Sequence, residues 1–333
     1  MIEEEDLRKL RLSRRPPGQL IAARLLDLNY RWPPANRVEI SGVENIPGDR
    51  PVFFALNHTD RFNYWPFQWA LWKMGGHRFV TSWVKAKYYD NPLMSAFLNQ
   101  CNNIPLPSLG YVILNDAAAT LGRPLTEEEY RFLRDLVDSQ AGKDESVAHL
   151  DGEIESDVAR LLVTPRRDFL PEMEPYAVFI LRWAGRLFRL VEERTLEALF
   201  SHHNNVLVFP QGTRSLRLLP ARTGMLEFAL RHDVDIIPVG SNGCERLYPG
   251  ASPLARRGEV LYRVGKPLTV EGDFGDCRIT ELYQPFTVEA QAHEDKFVRA
   301  ASRVTAAIND LLDEPYRLCV TKEGDPSRVG RLS

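Results

Sequence analysis

The sequence predicts an α/β fold, a β-sheet flanked by helices and interrupted by a large helical insertion. Short runs rich in β-branched and aromatic residues, bounded by Pro or Gly, recur at 51–56, 79–84, 206–209, 236–239 and 260–264. Helix-period segments separate several of them, and such alternation implies a sheet covered by helices. Between 110 and 200 the alternation lapses. Acids outnumber bases from Thr126 to Glu172, and Pro165, Pro171 and Pro175 break a pattern that is otherwise helical or loop-like.

Taken in order, residues 7–32 read as a helix broken at Pro16-Pro17. Leu20, Ile21, Leu25 and Leu28 form an apolar stripe after the prolines, and Arg8, Lys9, Arg11, Arg14 and Arg15 cluster before it. Such a segment either packs its stripe on the core or lies on an anionic membrane surface. Strands are expected at Arg37–Ser41, Pro51–Leu56 and Phe79–Val84, with helices at Tyr64–Met74 and 90–100. In the insertion, Thr126-Glu127-Glu128-Glu129 is a capping box that starts a helix. A second helix is expected at Tyr176–Phe200. Its Arg182, Arg186 and Arg189, at i, i+4 and i+7, share one face of an otherwise apolar segment carrying Trp183. That pattern fits a core helix with a solvated Arg stripe, or an interfacial helix with Arg at lipid headgroups. Strands at Val206–Phe209, Ile236–Val239 and Val260–Val264 follow, with a helix at Gly224–Arg231, a last helix near Glu294–Leu312 and a polar tail. The organisation is an N-terminal basic and amphipathic segment (1–35), a main domain (36–270, insertion about 110–200) and a C-terminal helix and tail (271–333).

Composition narrows the function. With 333 residues, 44% hydrophobic and 26% charged, the chain is ordinary globular protein, which excludes wholesale disorder. No apolar run approaches the roughly 20 residues of a membrane span, and the mean hydropathy is −0.29. Lys and Arg total 42 against 45 Asp and Glu, a net charge of −3, so no bulk basic field favours nucleic acid as a partner. Cys101, Cys244, Cys277 and Cys319 are far apart, without a C-x-x-C pair, which argues against a zinc site or disulfide framework. The charged N-terminus lacks the apolar core of a secretory signal, so a cytoplasmic location is expected.

Two segments carry candidate chemistry. Asn57-His58-Thr59-Asp60-Arg61-Phe62-Asn63 follows an apolar strand and precedes a helix. A strand-to-helix turn exposes side chains, and imidazole is the usual general base near neutral pH. A base needs a partner on its other ring nitrogen, for which Asp60 and Asn63 are the nearby choices. A structural or capping role for this turn competes with catalysis. The second segment is Val208-Phe209-Pro210-Gln211-Gly212-Thr213-Arg214-Ser215. Gly212 permits close backbone approach, and Arg214 supplies a fork suited to phosphate. The alternative is a plain strand-end turn whose Arg pairs with an acid.

Together the two segments resemble the glycerolipid acyltransferase family, the 1-acylglycerol-3-phosphate acyltransferases and their relatives. That family carries N-H-x-S-x-x-D after a strand and F-P-E-G-T-R-S further on; here they read NHTDRFN and FPQGTRS. Arg222-Thr223-Gly224 resembles its K-x-G element and Ile237-Pro238-Val239 its P-V strand. Asn103-Ile104-Pro105-Leu106, after Lys85-Ala86-Lys87, resembles the segment between the blocks. The resemblance spans about 35–270 and implies a glycerol-phosphate acyltransferase-like sheet. It implies His58 as the base that deprotonates an acceptor hydroxyl, which attacks the thioester of acyl-CoA or acyl-carrier protein. It implies phosphate binding at Gly212, Thr213 and Arg214, with Gln211 and Arg222 beside them. No metal or cofactor is implied; the thioester is a co-substrate. The partners implied are a lysophospholipid acceptor, an acyl donor and a membrane surface, reached peripherally from its inner face.

Two acids of the family pattern are absent. Asn63 stands where the family has Asp, and Gln211 where it has Glu. A neutral amide orients an imidazole without stabilising its cation, and in the Ser-His-Asp triad this change costs about 10⁴ in rate. Asp60, where the family usually has Ser, is a candidate replacement for the lost carboxylate. The competing expectations are a lipid- or acyl-CoA-binding pseudoenzyme, or an acyltransferase for a non-phosphate acceptor. The aromatic run Phe62, Tyr64, Trp65, Phe67, Trp69 and Trp72 is expected to pack its helix on the sheet, with part of it available to line an acyl tunnel.

Overall fold

The computed structural model describes residues 1–31, 36–140, 156–283 and 288–318. Cys319, the tail and the middle of the insertion (141–155) lie outside the described residues. Seven strands form one mixed sheet: β1 (Arg37–Ser41), β2 (Phe53–Leu56), β3 (Val80–Lys85), β4 (Ile104–Leu106), β5 (Asn205–Val208), β6 (Ile236–Asn242) and β7 (Glu259–Val264). Their order is β1-β7-β6-β2-β5-β3-β4. The five strands from β6 to β4 run parallel, β7 runs antiparallel to β6, and β1 is parallel to β7.

This order explains the apolar runs. β2 and β5 are central and fully buried. Phe53 and Ala55 face one core, and Val52, Phe54 and Leu56 face the other, as the period-2 alternation of a strand requires. One face is covered by α2 (Pro17–Arg31) and α3 (Tyr64–Met74). The other is covered by α8 (Tyr176–Leu196), α9 (Gly224–His232) and α10 (Glu294–Asp310), together with the short α1 (Glu4–Lys9). On the β4 side lie α4 (Pro92–Gln100), α5 (Leu109–Leu121), α6 (Glu127–Gln140) and α7 (Ser156–Val163).

The capping box at Thr126 forms as expected: the Glu129 main chain donates to Thr126 Oγ1 (3.2 Å), and the Thr126 main chain donates to the Glu129 carboxylate (2.7 Å). Within the insertion, fully buried Asp116 of α5 accepts from Arg166 (2.6 Å) and Arg167 (3.1 Å), joining that helix to the segment before α8.

Two expectations resolve here. In α2 the residues turned inward are Gly18, Ala23, Leu26 and Tyr30, while the stripe expected to pack on the core faces outward. Ile21, Leu25 and Leu28 are 62%, 61% and 66% exposed. The physical reason is close approach: Gly18 sits against the end of α4, where a Cβ would lie 2.6 Å from the Gln100 carbonyl, so the small residues form the contact face. α8 takes the opposite course. Phe179, Ile180, Trp183 and Leu187 are buried, and Arg182 and Arg186 are held by Asp168, Glu174 and Glu4. It is a core helix, and an interfacial placement is excluded because its apolar surface is already covered.

Candidate active site

The parallel strands all end on one edge of the sheet, where open α/β sheets bind ligands. β2 delivers His58 there, β3 delivers Lys85, and β5 delivers the turn at Gly212. The two motif turns are bonded to each other. The Ser215 main chain donates to the His58 carbonyl (2.9 Å), and the His58 main chain donates to Gln211 Oε1 (3.3 Å).

His58 stacks on Phe209, with ring centroids 3.9 Å apart and planes 12° from parallel. Its Nδ1 meets Asn63 Oδ1 at 3.2 Å. The orientation of that amide is fixed, because Asn63 Nδ2 donates to the Asn57 carbonyl at 2.6 Å. Flipping it would set oxygen against oxygen. Asn63 Oδ1 therefore accepts, His58 Nδ1 carries the proton, and Nε2 keeps its lone pair. Desolvation first, with some help from the nearby Arg214 and Lys85 charges, lowers the His58 pKa to about 4, although the Asn63 bond opposes the shift. The imidazole is thus neutral at pH 7, the state a base requires. Asn63 occupies the N-cap position of α3 but makes no capping bond, since its side chain is committed to His58 and Asn57.

Asp60 is not the partner of His58. Its carboxylate accepts from the Phe62 main chain (2.8 Å) and from Thr59 Oγ1 (2.9 Å), closing a local turn, and it is buried toward Cys244. Desolvation raises its pKa. The expected replacement carboxylate is therefore corrected by its own geometry: an acid two residues after His58 is used up in shaping the turn.

Gln211 is likewise corrected as a substrate contact. It is buried, and its Nε2 donates to the Thr213 carbonyl (2.8 Å) and the His58 carbonyl (3.4 Å). A donor is required there, which a carboxylate is not. Gly212 has φ +71°, and the Arg222 guanidinium lies over it, 2.9 Å from where a Cβ would sit. Arg214 and Arg222 are exposed. Lys85 joins them: its pKa is lowered first by desolvation and then by the charges of Lys87, Arg222 and Arg214. Among the described residues, none of these four cations is ion-paired to an acid. In the sequence Lys85 and Lys87 enter only through the family resemblance; the signal for them is position, Lys85 at the end of β3, a strand paired with β5, and Lys87 two residues on.

A cleft of about 260 Å³ opens between α2, α3 and the end of α4; neither His58 nor the Gly212 turn lines it, and it runs from Tyr64 along α3 to residues 75–80 at the start of β3. Its apolar lining includes Leu20, Leu26, Tyr64, Trp65, Trp69 and Trp72. Tyr64 is edge-on to Phe209 (6.2 Å), so one aromatic ring separates the cleft from the imidazole stack. Of the aromatic run, Phe67 is fully buried and packs on Phe54, while Trp65 and Trp72 face the cleft. No group of three or more metal-ligating side chains occurs among the described residues.

A family model described as Acyltransferase matches residues 177–242, from α8 through the FPQGTRS turn to the end of β6. His58 lies outside the matched segment. No curated protein matches the sequence. Among solved structures, the 1-acyl-sn-glycerophosphate (LPA) acyltransferase of Thermotoga maritima matches with a TM-score of 0.40 and 15% identity, covering 87% of this chain and 78% of that one.

Proposed function

We propose that this chain transfers a fatty acyl group from acyl-CoA or acyl-carrier protein to the hydroxyl of a lysophosphatidate-like glycerolipid, with His58 as general base. The observation that carries this is the neutral, Nδ1-protonated imidazole with Arg214 and Lys85 nearby, neither ion-paired among the described residues. The Acyltransferase match over 177–242 supports the reaction class. His58 Nε2 takes the hydroxyl proton as the oxygen attacks the thioester carbonyl. The tetrahedral intermediate then collapses, the C–S bond breaks, and the thiolate takes the proton from the imidazolium. Lys85, Arg214 and Arg222 hold the acceptor phosphate, with Gly212 and Thr213 supplying the close turn. The acyl chain follows α3, whose 11 residues span about 16 Å.

The acceptor and donor meet at a membrane surface. Leu20 of α2, Phe97 of α4 and Arg15 line the cleft; Ile21, Leu25 and Leu28 of α2 and Leu93 and Met94 of α4 are exposed, as are Arg14 and Arg24, which suit anionic headgroups. No helix among the described residues is long and apolar enough to cross a membrane, so the attachment proposed is peripheral, on the cytoplasmic leaflet.

A second reading is favoured by one observation, the uncharged partner of His58: a protein that binds acyl donor and lipid without turnover. Thiol release from a panel of acyl-CoAs and acyl-carrier proteins, with and without lysophosphatidate, separates the two. Acceptor-dependent release that disappears in His58→Ala supports the enzyme. Saturable binding with no release from any donor contradicts it. Gln211 does not favour a non-phosphate acceptor, because its side chain is turned into the protein.

A further inference from the structure

We propose that Tyr262 is a positioning residue: its hydroxyl fixes the main chain of Asn63, which holds the Asn63 amide against His58 and keeps the imidazole in its Nδ1–H tautomer. The inference rests on His58 being the base of the proposed reaction. Tyr262 is fully buried on β7, and its hydroxyl donates to the Asn63 carbonyl at 2.5 Å. Directly opposite it in the β6–β7 pair stands Ser241. The Ser241 main chain grips the other end of the same turn, donating to Asn57 Oδ1 (2.7 Å) and accepting from Asn57 Nδ2 (3.0 Å). Asn63 Nδ2 closes the ring on the Asn57 carbonyl.

One cross-strand pair thus clamps the residue before His58 and the residue that orients it. All four residues of the clamp are buried, so no water competes for these bonds. With an uncharged partner, orientation and tautomer are all that the dyad supplies to His58. Mispositioning Asn63 therefore acts on the chemical step rather than on acceptor binding.

The test is Tyr262→Phe, which removes one oxygen, read in two ways. Imidazole ¹⁵N NMR, which needs no turnover, is expected to show Nδ1–H at His58 in the wild type and a mixed or Nε2–H population in the variant. Kinetics are expected to show kcat reduced about tenfold with the acceptor KM within about twofold, and no further loss when the change is made in an Asn63→Ala background. Retention of the Nδ1–H tautomer, or an equal loss of kcat in both backgrounds, overturns the proposal. If Tyr262→Phe does not fold, Asn57→Ser releases the other jaw and is judged by the same tautomer signal, retention again overturning the proposal. Absence of turnover in the wild type would defeat the proposed function alone, since the NMR readout still decides the clamp.

Discussion

Gln211→Glu restores the acid of the family pattern and is expected to harm this chain. The new carboxylate would face the Thr213 and His58 carbonyls that the amide now donates to. An unsatisfied buried pair of this kind costs about 1–3 kcal/mol. Burial raises the pKa of such an acid above its unfolded value, so the unfolded state releases its proton first, and the penalty grows as pH rises above the ordinary Glu value of about 4.3. Urea denaturation at pH 5 and pH 8 measures it; a variant as stable as wild type at both contradicts the assignment. Asp60→Asn is expected to keep activity within about threefold, because an amide oxygen still accepts from the Phe62 main chain, and the bond it serves is worth only about 1 kcal/mol. A loss near the 10⁴ of a broken triad would return Asp60 to the dyad. The roles of these two residues were illegible in the sequence. Asp60, two residues on, and Asn63, five residues on, are both candidates by spacing, and only the folded turn shows which one aims at the ring.

At the scale of elements, the surface of α2 is the sharpest prediction. Ile21→Asp with Leu25→Asp is expected to leave the melting temperature unchanged, since both side chains are exposed, and to reduce binding to anionic vesicles at least tenfold. Each buried leucine or isoleucine contributes about 1.5–3 kcal/mol to such binding. Gly18→Ala should abolish the same binding by another route, pushing α2 off the Gln100 carbonyl, and it should lower stability by about 1–3 kcal/mol. Flotation assays paired with thermal melts distinguish the two variants. The elements themselves were largely legible. Tyr64–Met74 forms over the span read from its period, and the strand at Arg37–Ser41 likewise. The faces were not. The stripe of α2 and the Arg stripe of α8 are both sound helical patterns, yet one is exposed and the other ion-paired in the fold. Amphipathic period shows that a helix has two faces; which face meets the protein depends on partners distant in sequence, Gln100 for α2 and Glu4 for α8.

At the scale of the whole molecule, the sheet order brings together residues 153 positions apart: the His58 main chain donates to the Gln211 side chain because β2 and β5 are neighbours. The alternation of strands and helices made an α/β sheet legible, whereas the pairing order that creates the site is not encoded in any local pattern. Within the insertion, Asp116→Ala, which strands Arg166, is expected to cost about 3–5 kcal/mol in chemical denaturation. The central claim is that a neutral imidazole, oriented by an uncharged amide, performs acyl transfer. The pH dependence of kcat/KM for acceptor-dependent thiol release tests it most directly, since that quantity reports the base in the free protein. A lowered histidine pKa leaves the base competent at all pH values above it, so activity is expected to hold from neutrality downward and to fall with a midpoint near pH 4. A midpoint at about 6.5, the ordinary histidine value, or a profile unaltered in His58→Ala, would contradict the account.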